Sequence, residues 1–367
     1  MALTLLASGV DTLHLSARGE VRNEVWEAVE AAKQRAQTAE EPVAFDFPVT
    51  AQAFLVKPHG LRGYSYWLAS PDFELMLGRS QRFPAALAQL HSAYLHSMGP
   101  EWAVDLVAQL LRLEVFAGPP DLVVSRVDVY ADTQGWELEL ADLDRFVCRA
   151  RVRRGFVERD HVFKSGRRLT GFMFGRGAMA ARLYDKTAEI GRRGVSWLPD
   201  LWGQERAEDR PVWRLEFQVR RDALAEFQLR TAGEVLASVQ DLWRYGTVDW
   251  LTLRVPTADR RERRWPLDPL WREVQAVIIA PSVSGVVRRR LLQATEERIV
   301  QGLQGHVTSW AALRGRRHLH GTLEAVRPIL ERYLASRGRT FTGEVERKRA
   351  RLMSVTAFVD EDGPDAA

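Results

Sequence analysis

G-R-G-A-M-A-A-R-L-Y-D-K-T-A-E, residues 175–189, opens on two glycines that favour a turn and continues into a run of alternating character. Arg182-Leu183-Tyr184-Asp185-Lys186 has the pattern of a strand with two unlike faces. On that reading Arg182, Tyr184 and Lys186 project from one face, roughly 7 Å apart by the strand repeat. A tyrosine between two cations suits chemistry on a phosphodiester, because the cations hold the phosphate and favour the nucleophilic phenolate. The same alternation also suits a solvated sheet face on which Tyr184 only packs.

Two further segments share this two-faced pattern. Leu122 to Asp132 puts Arg126, Asp128, Tyr130 and Asp132 on one face and Val127 and Val129 on the other. Val212 to Arg220 sets Arg214, Glu216 and Gln218 against apolar neighbours. Asp128, Asp132 and Glu216 are hard oxygen donors of the kind Mg²⁺ or Mn²⁺ accepts. Ordinary ion pairing with Arg126 and Arg214 accounts for them equally well. Together the three segments imply an α+β fold, a mostly antiparallel sheet with helices on one side and a charged face left over.

Around these segments, Val10 to Ala17 reads as a strand and Asn23 to about Ala39 as a helix. Val43 to Lys57 and Tyr64 to Gly78 read as paired strands. Pro84 to Ser97, Glu101 to Leu113 and Leu140 to Arg151 read as helices. Val162-Phe163 and Thr170 to Gly175 form a strand pair around the basic turn of Lys164, Arg167 and Arg168. Trp197, Pro199 and Trp202 pin a loop to the body. After Pro256 the pattern becomes helical, giving three expected regions: a sheet-based domain over residues 1–256, a basic helical region over 257–351, and an acidic tail over 352–367.

Residues 257–351 carry 20 Arg or Lys against 10 Asp or Glu, whereas the whole chain is only +4, so the remainder is slightly acidic. That asymmetry, with clusters at Arg288-Arg289-Arg290 and Arg316-Arg317, is the footprint of a nucleic-acid partner. Only five of the 52 basic residues are lysine, so a compositional preference for arginine contributes to it. Twelve tryptophans and 46% apolar residues indicate a substantial core. No apolar run is long enough to span a membrane, and the single cysteine excludes an internal disulfide and fits a cytoplasmic protein. The sequence holds no P-loop, dinucleotide fingerprint, H-E-x-x-H or nucleophile elbow, which removes the commoner enzyme classes.

Ser125-Arg126-Val127-Asp128-Val129, Gly175 with Arg182-Leu183-Tyr184-Asp185-Lys186 and Glu189, and Trp213-Arg214-Leu215-Glu216 occur in that order. In this combination, over roughly residues 10 to 250, the chain resembles the replication initiation factor family. These are initiators of rolling-circle plasmids and filamentous phages, with related relaxases of conjugative elements. The resemblance implies a metal-dependent DNA endonuclease and strand transferase that nicks one strand at an origin. Tyr184 would attack the phosphodiester, stay joined to the 5′-phosphate and leave a 3′-hydroxyl primer. It implies that Lys186 and Arg182 hold the phosphate. Asp128 and Glu216, then Asp132 and Glu189, would be the carboxylates for Mg²⁺ or Mn²⁺. Arg126, Lys164, Arg167, Arg168, Arg214, Arg288, Arg289, Arg290, Arg316 and Arg317 are the expected DNA contacts. Single- and double-stranded origin DNA, a host helicase and a second copy of the chain are the expected partners. The chain lacks a His-x-His block on a strand, as this family does. The competing expectation is a non-catalytic protein that binds origin or single-stranded DNA.

Overall fold

Two long segments able to pair with each other dominate the chain. β1 (Thr4–Arg18) and β7 (Asp121–Gln134) run antiparallel along nearly their whole lengths and form the middle of the structure. The computed structural model describes residues 2–50, 52–150, 153–159, 167–193, 197–203, 211–279, 300, 303–343 and 345. They fall into two compact units, Met1–Val283 and Ser284–Ala367.

In the first unit, β1 leads into α1 (Asn23–Ala39) and then a meander of β2 (Val43–Asp46), β3 (Ala53–Val56), β4 (Tyr66–Ala69), β5 (Phe73–Leu77) and β6 (Ala86–Leu90). Next come α2 (Ser92–Met98), α3 (Pro100–Leu110), β7 and the short β8 (Phe146–Cys148). β9 (Arg153–Arg159), β10 (Arg167–Phe174) and β11 (Met179–Asp185) precede α4 (Lys186–Arg193) and α5 (Trp197–Leu201). The unit continues with β12 (Trp213–Arg220), α6 (Arg221–Glu226), α7 (Ala232–Ala237), α8 (Val239–Arg244), β13 (Leu251–Leu253) and α9 (Pro269–Gln275). Eleven strands form one antiparallel sheet in the order β2-β3-β4-β5-β6-β1-β7-β12-β11-β10-β9, and β13 pairs with β8 separately. The fold is α+β.

From β5 to β10 one face of the sheet is apolar. Leu75, Ala88, Leu15, Val129, Phe217, Leu183 and Phe172 come from successive strands and are all buried. Val29 of α1, Val107 of α3, Leu224 of α6, Val235 of α7, Trp243 of α8 and Trp271 of α9 join them in a single core. Alternation along each strand therefore sends the charged residues to the opposite face. Gly246 shows how tightly the core closes: a Cβ there would lie 2.9 Å from three atoms of the Phe217 ring. Gly246→Ala is expected to cost about 1–3 kcal/mol in urea unfolding, since neither partner can shift without moving Trp243 or Trp250. A loss below the error of that measurement would show that the core is looser than this packing.

Several sequence expectations are corrected. Pro84 to Ser97 is not one helix: Ala86–Leu90 is β6, paired with both β1 and β5, and the helix starts at Ser92. The Ala-Leu run has helical propensity, but burial between two strands overrides it. The helix expected over Leu140 to Arg151 is instead a six-residue 3₁₀ helix, Leu140–Arg145, followed by β8. Val43 to Lys57 and Tyr64 to Gly78 divide into two hairpins, β2–β3 and β4–β5, with β3 also beside β4. Val162-Phe163 and residues 352–367 lie outside the described residues. After Pro256, Trp271 of α9 is fully buried in the core of the first unit. In the second unit, residues 303–313 are helical and a helix spans Leu319–Ala335. Among the described residues no helix is long and apolar enough to cross a membrane.

Candidate active site

The register of three adjacent strands assembles the charged face row by row. Tyr184 of β11 lies opposite Arg214 of β12, and Arg214 opposite Asp132 of β7. In the next row Arg182 faces Glu216, which faces Tyr130; Gln218 and Asp128 follow one row further. The residues singled out in three separate stretches of sequence thus converge on one surface. It is not a solvated surface: Asp128, Asp132, Arg214 and Glu216 are all buried.

The face has a closed half and a half-open half. In the closed half Arg214, 0% exposed, grips Asp132 with Nε and Nη2 at 2.6 and 2.7 Å. It also donates to Asp11 and lies over the Tyr130 ring, 3.8 Å from its centroid. Trp202, just beyond α5, donates to Asp132 at 2.8 Å, and Ser92 of α2 donates to Asp11 at 2.7 Å. His96 of α2 shares a 2.5 Å hydrogen bond with the Tyr130 hydroxyl. Asp11 reaches this cluster because the β1–β7 register shifts between Val10 and Thr12. Burial alone would raise the Asp11 carboxyl, but Arg214 and Lys186 outweigh it and hold it far below the usual carboxylate range.

In the half-open half, Arg126 holds Asp128 through Nε at 2.8 Å and a second contact from Nη2. Arg182 bonds Glu216 and reaches to 3.9 Å from Asp128, with 44% of its side chain exposed. The Tyr184 hydroxyl donates to Glu216 Oε2 at 3.2 Å and accepts from Lys186 Nζ at 3.3 Å, and Lys186 also donates to Glu189 at 2.6 Å. Lys186 does not continue the strand as the alternation predicts; it is the first residue of α4. Asp185 accepts from the Ala188 backbone N–H at 2.9 Å, which starts the helix there. The Lys186 N–H in turn donates to Val212, so the helix start is tied to the entry of β12 and the ammonium stays beside the phenol.

The phenol is not poised as a phenolate. Burial, then the neighbouring Glu216 carboxylate, push Tyr184 well above the ordinary tyrosine value, the reverse of what the flanking cations suggest. Burial likewise raises Tyr130, which is fully enclosed between His96 and Arg214 and so is poorly placed as a substitute nucleophile.

Burial raises Asp128 to about 7; Arg126 opposes this and Glu216 adds to it. A carboxyl whose pKa rises on folding binds its proton more tightly in the folded state, so stability falls as pH climbs from about 4 towards 7. Asp128→Asn is therefore expected to be more stable than the parent at pH 8 in chelated buffer and to lose that pH slope. Parallel pH–stability curves for the two proteins would refute this.

Among the described residues no group of three or more His, Cys, Asp or Glu is arranged to hold a metal ion. Asp128 and Glu216 are adjacent carboxylates, a donor set of the kind Mg²⁺ uses when a substrate phosphate completes the shell. Asp132 is clamped by Arg214 and Trp202, and Glu189 is paired with Lys186, so neither shares that pair's position. Of the expected DNA contacts, Arg126 is partly exposed and Arg214 is enclosed. Arg167 and Arg168 lie on β10 opposite Arg159 and Glu158. Arg316 and Arg317 are exposed in the second unit. Lys164, Arg288, Arg289 and Arg290 lie outside the described residues. Asp11, Ser92 and His96 were not singled out in the sequence; a lone Asp at a bulge and a His inside a helix carry no local signal.

No family model matches the sequence, and no curated protein matches it. Among solved structures the chain is similar to a rolling circle replication initiator protein from Geobacillus stearothermophilus. The two are 17% identical, the match covers 77% of this chain and 100% of that one, and the TM-score is 0.47.

Proposed function

We propose that the chain is a DNA strand-nicking replication initiator or relaxase in which Tyr184 is the nucleophile. The observation that carries this reading is the Tyr184 hydroxyl, held between Glu216 and Lys186 with the half-exposed Arg182 alongside. A hydroxyl needing activation, a carboxylate to take its proton and cations for a phosphate are the parts that phosphodiester transfer requires. The order of motifs shared with replication initiation factors supports the same reading.

In the reaction, the Tyr184 oxygen attacks phosphorus as its proton passes to Glu216. The P–O3′ bond breaks, and the departing 3′-oxygen takes a proton from water. Because the phenol is held protonated, proton transfer accompanies attack rather than preceding it. Arg182 and Lys186 donate to the non-bridging oxygens as charge develops there. Asp128 and Glu216 would hold a Mg²⁺ or Mn²⁺, which when bound neutralises charge on the scissile phosphate. The phosphotyrosyl bond keeps the energy of the broken link, so the strand can later be rejoined.

The test is to incubate the protein with supercoiled plasmid from its own replicon in Mn²⁺ or in EDTA. The expected result is a nicked circle and a denaturant-resistant protein–DNA adduct in Mn²⁺ alone. Tight binding with no nick in either condition would leave a non-catalytic DNA-binding protein.

A further inference from the structure

The row of the charged face furthest from Tyr184 has no part in the chemistry above, yet it is unusual in composition. Cross-strand register puts Gln89 of β6, His14 of β1, Arg126 of β7 and Arg220 of β12 side by side. Arg62, from the loop between β3 and β4, donates to Gln89 at 3.1 Å and so joins the row. His14 is 6% exposed, and its Nε2 is buried without a hydrogen-bond partner. Burial first, then Arg126, Arg62 and Arg220, hold the imidazole neutral, with a pKa near 3. The charged and polar groups facing it are those three guanidiniums, Asp128 through its pair with Arg126, and Gln218, which accepts from Arg220 at 3.2 Å.

Left to itself this arrangement is costly. Of the three guanidiniums only Arg126 is paired with a carboxylate, Arg62 and Arg220 donate to the neutral Gln89 and Gln218, and the buried His14 ring nitrogen lacks a partner. An anion with several acceptor oxygens relieves both, giving the guanidiniums a counter-charge and, in the tautomer that carries its proton on Nε2, the imidazole an acceptor. We propose that His14, Arg62, Arg126 and Arg220 form a phosphodiester subsite that holds a DNA strand at a fixed distance from the reacting bond. Arg220 is six residues along β12 from Arg214, the cross-strand partner of Tyr184. By the strand repeat that is about 20 Å, far enough to span several phosphates. The subsite then acts as an anchor upstream or downstream of the nick, fixing which bond reaches the tyrosine. The inference takes DNA as the ligand from the proposed function, and it does not need cleavage.

The experiment measures binding of the full chain to short fluorescein-labelled oligothymidylate over a range of salt concentrations. Arg62→Ala/Arg220→Ala is expected to bind about tenfold more weakly at moderate salt. It should also lower the slope of log affinity against log salt by about 1.4, or 0.7 per lost contact. Arg35→Ala/Arg112→Ala, at exposed arginines of α1 and just after α3, should leave both quantities unchanged. His14→Phe should keep or raise the melting temperature, since it removes an unpartnered polar atom, and still weaken binding several-fold. An unchanged slope in the double variant overturns the subsite, as does a stable His14→Phe protein that binds like the parent. Failure to nick with the expected slope change would overturn the cleavage reading and leave the subsite standing.

Discussion

Tyr184→Phe is expected to abolish the covalent protein–DNA adduct while leaving DNA binding and folding intact. The substitution removes one oxygen, which bridges Glu216 Oε2 and Lys186 Nζ at 3.2 and 3.3 Å. Both partners keep another contact, Glu216 with Arg182 and Lys186 with Glu189, so neither is stranded. The stability cost should therefore stay near 1 kcal/mol. Loss of the nucleophile, by contrast, removes the covalent path altogether, and product should fall by three orders of magnitude or more in a gel assay. If Tyr184→Phe forms adduct at the parental rate, the phenol is a packing residue and the proposed chemistry is wrong.

The second large effect concerns stability. Asp132→Ala is expected to destabilise the protein by about 3–5 kcal/mol, enough to unfold much of it at moderate temperature. Arg214 has no exposed surface, and Asp132 takes two of its three hydrogen bonds to carboxylates. Without Asp132 the guanidinium keeps only Asp11, and the Trp202 Nε1–H loses its acceptor. Asp132→Leu combined with Arg214→Met and Asp11→Asn should recover part of the loss, because Asp11 is the other carboxylate partner of Arg214 and the buried charges are then removed together. Chemical denaturation of the two variants measures this. A loss under about 1 kcal/mol in Asp132→Ala would mean that water or another carboxylate reaches Arg214, and that the closed half is not closed.

These two variants separate the halves of the charged face, which is also where sequence reading succeeded and failed. The alternation in Arg126-Val127-Asp128-Val129-Tyr130 and in Arg214-Leu215-Glu216-Phe217 is a local property of the backbone, so the two faces of β7 and β12 were readable. That the strands are neighbours was suggested by their shared character. That their charged residues are buried was not, because burial depends on α2 and the turn after α5, which arrive from distant sequence. Asp11 could not be found, since its direction depends on a register shift that pairing alone creates. Ala86–Leu90 was misread because Leu87 interrupts the alternation and leaves Gln89 as its one polar residue, so helical propensity is the stronger local cue. The Tyr184 phenol shows the same limit in electrostatics. Its flanking cations are visible in the sequence, whereas Glu216 and the burial that reverse their effect belong to the sheet.

Within the half-open part, Arg126 and Arg182 are the counter-charges of Asp128 and Glu216. Phosphate binding would compete for the same guanidiniums. In the proposed reaction, substrate capture would therefore release the carboxylates, and Arg182, the more exposed of the two, is the one best placed to exchange.

The measurement that bears most directly on the central proposal is mass spectrometry of the trapped adduct after nuclease and trypsin digestion. Cleavage after Arg182 and after Lys186 isolates Leu183-Tyr184-Asp185-Lys186 as a peptide holding one tyrosine. The account predicts this peptide carrying a 5′-phosphorylated nucleotide on Tyr184. A nucleotide recovered on any other residue, with the Tyr184 peptide unmodified, would contradict it.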